Sequence, residues 1–190
     1  VAFSSDRKVA GEGAYLLSFL AGDDVPRIIG YAAAAGKRRI AALIPESDYG
    51  HVVKASLEAS VARAGASLAG IELYRLNADG MVEPMKRIGS RIDKGKVDAL
   101  LVPGGADTLP MIAPMLTYHG IDTQKIKLLG TGGWDTPNAG HEKALLGAWF
   151  PAAEPSGWRG FSERFMSLHG RAPVRIASLG YDAVSLAAAL

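Results

Sequence analysis

From residue 25 onward the apolar positions switch repeatedly between two periods. Stretches with apolar residues three and four apart alternate with short, nearly continuous apolar runs. The first pattern marks an amphipathic helix, the second a strand covered on both faces. Residues 25-VPRIIGYAAAAG-36 predict a helix, with Pro26 suited to its first turn and Gly36 to its C-terminal stop. The run 39-RIAALIPE-46 predicts a strand, and 48-DYGHVVKASLEASVARAG-65 a helix with Val53, Leu57, Val61 and Ala64 on one face. A strand over 67–76 follows, then a loop over 77-NADGMVEP-84, marked by its Asn, Asp, Gly and Pro.

The alternation continues to the end of the chain. A helix over 85–95 places Met85, Ile88 and Ile92 together, and 97-VDALLVPGG-105 is a strand ending in a glycine pair. Residues 107–120 predict a helix with Asp107 as its N-cap, bent or broken at Pro114. The segments 126-IKLLGTGG-133 and 147-GAWFPA-152 predict strands. Residues 154–170 predict a helix whose core face is Trp158, Phe161, Phe165 and Leu168, and 178–190 a last helix. Strands alternating with helices imply a parallel sheet with helices on both faces, an α/β fold. Ligands of such sheets sit outside the carboxyl ends of the strands. That rule selects the loops 45-PESDYG-50, 103-PGGADT-108, 130-GTGGWD-135 and 151-PAAEP-155.

Composition adds bounds. The 190 residues are 48% hydrophobic and 21% charged, an ordinary globular balance with enough chain for one or two domains. The net charge is +2 and the basic residues cluster only at 37-KRR-39, so no electrostatic footprint for nucleic acid is expected. With no cysteine, disulfides, thiolate metal sites and a Cys nucleophile are excluded. No apolar run approaches a membrane span, and 1-VAFSSDRKVAG-11 does not have the pattern of a signal peptide. The chain does not begin with Met and reads as though it starts within a strand, as expected of a fragment or a processed product.

The loops suit binding better than chemistry. The turn 130-GTGGWD-135 is not G-x-G-x-x-G, and no Walker loop or G-x-S-x-G elbow occurs. His51, His119, His141 and His169 are too dispersed to suggest a metal site, and no cofactor is implied. Gly104 and Gly105 let a ligand approach backbone at the start of a helix. Tyr49 and Trp134 could form flat walls, or Tyr49 could pack over the first helical turn and Trp134 be buried between lobes. Asp107 and Asp135 could contact a ligand or cap a helix and a turn.

At this point the order of segments resembles a known family. The stretch 40-IAALIPESDYG-50 resembles the strand–acid–x–x–Tyr-Gly start of the second lobe of type I periplasmic binding proteins, the branched-chain amino-acid receptors of ABC transporters and their relatives. The end, 179-LGYDAVSLAAAL-190, is similar to the helix returning to the first lobe. The segments 97–105, 127–135 and 149-WFPAAEPSGWRGFSERF-165 fit between them in order. In texture the chain resembles the bacterial branch labelled penicillin-binding-protein activator or extracellular ligand-binding receptor. The resemblance implies Rossmann-like parallel-sheet lobes of the type I periplasmic-binding fold, with the first lobe incomplete. Residues 1–36 would be a first-lobe segment, 37–150 the second lobe and 151–190 the return to the first.

The resemblance also implies a function. The protein would be exported to the periplasm and non-catalytic, closing its lobes on a small polar, amino-acid-like ligand and shifting toward the closed state. Ser4 and Ser5 lie where the family receives a ligand carboxylate. Tyr49 matches a ligand-contacting tyrosine, and 104-GGAD-107 matches the turn after the third strand of that lobe. Trp134 would be a wall. One departure stands out: the family's amino-acid receptors carry a carboxylate near the position of Gly132 and Gly133. A buried ammonium without one would cost several kcal/mol. Either Asp107 or Asp135 substitutes, or the ligand is not a simple α-amino acid, or the cleft no longer binds one. The alternative is an envelope lipoprotein domain that regulates a peptidoglycan synthase through its surface. The partners implied are an ABC permease or that synthase, and the exposed strand edges of an incomplete lobe point to pairing with a second copy.

Overall fold

The structure, a computed structural model, describes residues 1–4, 9–11, 13–105, 107–136 and 139–189. The chain divides into two compact units, residues 21–151 and residues 1–20 with 152–190. Helix α1 (Ala21–Ala34) therefore goes with the larger unit, whereas the sequence division grouped it with the first-lobe segment. The reason is its apolar face: Val25, Ile28, Ile29 and Ala32 are buried in the larger unit's core.

The larger unit is built on strands β1 (Arg39–Pro45), β2 (Ser67–Tyr74), β3 (Ala99–Leu101) and β4 (Lys127–Leu129). Among the described residues they form one parallel sheet in the order β2-β1-β3-β4. Helices α2 (Asp48–Arg63), α3 (Ala78–Asp93) and α4 (Leu109–Tyr118) complete the unit with α1. The period-2 alternation of the strands decides which helices they meet. Ile40, Ala42, Ile44, Ala99, Leu101 and Leu129 face α1 and α2, meeting Ile29, Val53 and Leu57. Ala41, Leu43, Leu100, Val102 and Leu128 face α3 and α4, meeting Met85, Ile88, Ile112 and Leu116. Burial on both faces explains why β1 reads as a continuous apolar run.

Four expectations change. Helix α3 begins seven residues before Met85, inside the stretch expected to be a loop, because Asn77 caps it by accepting from Gly80 N–H at 2.7 Å. Helix α4 is capped at Thr108 rather than Asp107 and runs through Pro114, its buried Ile112, Ala113 and Leu116 holding it to the sheet. The strand expected over 147–152 shrinks to a single bridge, Trp149 beside Leu129, between Gly147 with φ +76° and Pro151. Pro26 lies inside α1 rather than in its first turn, and so gives no N–H to the Gly22 carbonyl. The Ser56 hydroxyl donates to that carbonyl instead, at 3.3 Å.

The smaller unit holds α5 (Pro155–His169) and α6 (Ala177–Ala189). Gly170 ends α5 in the left-handed conformation at φ 66°. Phe161 stacks on Trp158, Phe165 and Tyr181, but Leu168 is 78% exposed, so the core face of α5 is narrower than its periodicity suggests. No helix among the described residues is long and apolar enough to cross a membrane.

Candidate functional site

The strand order reverses at β1, which has β2 on one side and β3 on the other. A crevice opens outside the carboxyl ends of the strands at such a switch point. The loops after β1, β3 and β4 meet there. Tyr49, in the first turn of α2, hydrogen-bonds through its hydroxyl to Thr131 Oγ1 at 2.9 Å. The Thr131 hydroxyl lies 3.4 Å from the Gly104 carbonyl, towards which it donates. Three loops are thus linked through one threonine that is 1% exposed.

The Tyr-Gly pair has a steric basis. A Cβ on Gly50 would stand 1.8 Å from the Pro45 carbonyl oxygen. Only glycine lets the start of α2 rest on the end of β1, and Ser47 caps it by accepting from Gly50 N–H at 3.1 Å. That contact fixes where Tyr49 stands.

The glycines of 130-GTGGWD-135 each admit a different neighbour. A Cβ on Gly130 would lie 2.3 Å from the Trp134 ring, one on Gly132 2.9 Å from the Asp24 carboxylate, and one on Gly133 2.3 Å from the Gly104 carbonyl. The turn is a close-packed floor. Asp24 Oδ2 accepts from Gly132 N–H at 2.8 Å. Burial pushes the Asp24 carboxyl above its ordinary value, against the lowering effect of that hydrogen bond. Burial likewise raises Tyr49, which keeps its phenol protonated and able to donate. Tyr74, at the carboxyl end of β2, is buried, and its hydroxyl has no hydrogen-bond partner among the described residues. Burial raises its pKa, and Tyr49 and Asp107 add to the effect. An unsatisfied buried hydroxyl costs about 1–3 kcal/mol, and such groups gather where a site needs them.

The expected residues fare unequally. Tyr49, Gly104 and Gly105 come together, and Gly105 faces Gly133 across the floor. Gly105 N–H, expected to serve a ligand, is instead taken by Thr108 Oγ1 at 3.0 Å. Trp134 is not an exposed wall: its ring is 1% exposed and its Nε1–H donates to the Val102 carbonyl at 3.0 Å, making it part of the core beneath the floor. Asp107 is exposed at the rim, and the Asp135 N–H closes the short 3-10 turn Gly132–Trp134 on the Gly132 carbonyl at 3.0 Å. Ser4 is in the smaller unit, and Ser5 lies outside the described residues. Asp24, Thr131 and Tyr74 were missed. Thr131 was the polar residue inside the quoted turn. Asp24 carries no local signal, because an acid in the first turn of a helix reads as a response to the helix dipole. Among the described residues no cluster of potential ligands could hold a metal ion.

The profile of the periplasmic binding protein family matches residues 2–190. The chain belongs to this family. Solved structures agree on the fold. An extracellular ligand-binding receptor from Rhodopseudomonas palustris HaA2 is 18% identical with a TM-score of 0.71, covering 90% of this chain and 51% of its own. A solute-binding protein of an ABC transporter from Rhodopseudomonas palustris BisB5, in complex with 3,4-dihydroxybenzoic acid, is 21% identical with a TM-score of 0.71, covering 91% and 49%. An ABC transporter substrate-binding protein from Desulfitobacterium hafniense, in complex with Leu, is 18% identical with a TM-score of 0.65, covering 92% and 51%. The chain spans about half the length of these relatives, which share the type I periplasmic-binding fold with it. A search of curated protein sequences gives no match.

Proposed function

We propose that the carboxyl-end face of residues 21–151 binds a small polar, amino-acid-like molecule without transforming it, as part of an exported substrate-binding protein that serves an ABC permease. The observation that carries this reading is the convergence of Tyr49, Thr131, Gly104 and Asp24 at the strand-order switch point. It supplies a phenol, a close-packed backbone floor and one carboxylate, with no base and nucleophile set against each other. Relatives in complex with Leu and with 3,4-dihydroxybenzoic acid support holding as the task.

Asp24 favours an ammonium over a second carboxylate as the ligand's group at this end. It stands beside Gly132 in the glycine turn, near the position where the family resemblance leads one to expect an acid and this chain has Gly132 and Gly133. The regulatory reading, contact with a peptidoglycan synthase, rests on that gap and on the resemblance to the penicillin-binding-protein-activator branch, and an Asp24 that meets the ligand removes the first of these supports. The raised pKa fixes the sign of the pH effect. The folded, ligand-free protein holds this proton more tightly than the unfolded chain, so the stabilising contribution is present below the ordinary value of 3.8 and lost as pH rises through the raised value. An ammonium ligand needs the ionised form, so its affinity falls when pH is lowered into that range.

Calorimetry with L-amino acids and with benzoates, on the wild type and on Asp24→Asn, tests the reading. Asparagine keeps an acceptor for Gly132 N–H and removes only the charge. The expected result is amino-acid binding that weakens by about tenfold or more in the variant, a loss of roughly 1.4 kcal/mol. Amino-acid binding unaffected by Asp24→Asn, or no binding of either class, would refute it.

A further inference from the structure

A different feature lies at the opposite end of the sheet. Lys37 precedes β1 by two residues and Lys127 opens β4. The parallel register aligns Ile40 with Ala99 and Ala99 with Lys127, so both lysines stand at the amino ends of the strands. With Lys125 and Lys143 they line a pocket of about 420 Å³, to which Thr123 and Gln124 add neutral polar groups. Among the described residues no acidic side chain lines it.

The four ammonium groups are not equivalent. Lys127 Nζ is held in place, donating to the Gly147 carbonyl at 2.9 Å and lying 4.8 Å over the Trp149 ring. Lys125 reaches Asp122 at 3.6 Å, with both side chains largely exposed. Lys37 and Lys143 have no ion-pair partner among the described residues. Elsewhere in this unit some basic side chains are answered, Arg39 by Asp98, Arg75 by Glu46, and Arg87 and Arg91 by Glu72, while Arg38, Arg63, Lys94 and Lys96 have no ion-pair partner among the described residues either. What sets Lys37 and Lys143 apart is that they share one concavity with two further lysines. Lysines on an edge strand can simply discourage edge-to-edge pairing. That accounts for Lys127 alone, because Lys37 lies in the α1–β1 connection and Lys143 in the short 3-10 turn Lys143–Leu145. Like charges gathered around one concavity repel each other unless an anion sits among them. The volume falls in the range of small-molecule sites, roughly 300–1,000 Å³.

We propose that this pocket is a second binding site, for a phosphoryl-bearing anion carrying two or more negative charges. Lys37 and Lys143 make the main contacts, beside the fixed ammonium of Lys127. Lysine suits phosphate as a compact point charge. The site is independent of the amino-acid-like ligand above, since the two occupy opposite ends of the strands.

Inorganic pyrophosphate is the probe, titrated into the whole chain by calorimetry at low ionic strength. Binding is expected, weakening as sodium chloride is added. The double variant Lys37→Gln/Lys143→Gln should bind about tenfold less tightly or worse at unchanged thermal stability. The control Lys54→Gln/Lys86→Gln removes the same charge from α2 and α3 and should bind like the wild type. Co-sedimentation with vesicles of equal parts phosphatidic acid, whose phosphomonoester headgroup can carry two negative charges, and phosphatidylethanolamine identifies the source. Vesicle binding lost in the first double variant assigns a lipid headgroup, and pyrophosphate binding without vesicle binding assigns a soluble phosphate compound. The proposal is overturned by the absence of both, by wild-type affinity in the first double variant, or by an equal loss in the control.

Discussion

Gly50→Ala tests how the site is positioned. The added methyl would stand 1.8 Å from the Pro45 carbonyl oxygen and 3.1 Å from the Ile44 side chain. Carbon and oxygen ordinarily approach no closer than about 3.3 Å, so the first turn of α2 and the end of β1 must part by roughly 1.5 Å. Neither yields easily. Pro45 is paired in register with Tyr74 and the next residue, Glu46, donates its N–H to the Tyr74 carbonyl at 2.8 Å, while α2 is anchored by Val53 and Leu57, both 0% exposed. Forcing an extra carbon into such a contact costs about 1–3 kcal/mol. A shift of that size also takes Tyr49 out of reach of Thr131, now 2.9 Å away, at about 0.5–1.5 kcal/mol. Alanine's better helix propensity returns about 0.5–1 kcal/mol. The expected net loss is about 0.5–4 kcal/mol, read from urea unfolding followed by tryptophan fluorescence, together with weaker ligand binding. Gly30→Ala is the matched control. Gly30 is an exposed residue of α1 with nothing within 4 Å of an added Cβ, so it should gain up to about 1 kcal/mol. If Gly50→Ala behaves like Gly30→Ala, the close approach of α2 to β1 does not set the position of Tyr49.

Two further outcomes follow from the same geometry. Thr131→Val keeps the shape of a side chain that is 1% exposed but removes the hydroxyl joining Tyr49 to the Gly104 carbonyl. It should lower stability by about 1 kcal/mol in thermal unfolding and weaken ligand binding in calorimetry. Asp98 is held at about 2, chiefly by the Arg39 guanidinium hydrogen-bonded to it. Its folded value lies below its unfolded one, so its contribution is present above the ordinary 3.8 and lost as pH falls towards about 2. Urea midpoints across that window should fall with acid in the wild type and fall less in Asp98→Asn.

The sequence by itself determined the class of fold and the rim that matters. Alternating periods of apolar residues report which faces are buried, and that is a local property. It located α2, both faces of β1, and the loops carrying Tyr49, Gly104 and the glycine turn. The order of those segments resembled the family to which the chain belongs. Local pattern misjudged the start of α3, because Asn77 reads as a loop residue until its side chain is seen capping Gly80. Only the tertiary structure decided depth and convergence. Trp134 and Tyr49 look alike in sequence, two aromatic residues in strand-end loops, yet one is sealed in the core and the other stands 39% exposed. Asp24 joins the floor from a helix 108 residues away from Gly132, and Lys37 shares a pocket with Lys143. The strand order β2-β1-β3-β4 creates those meetings. It is set by long-range pairing of strands, which the period of no single segment encodes.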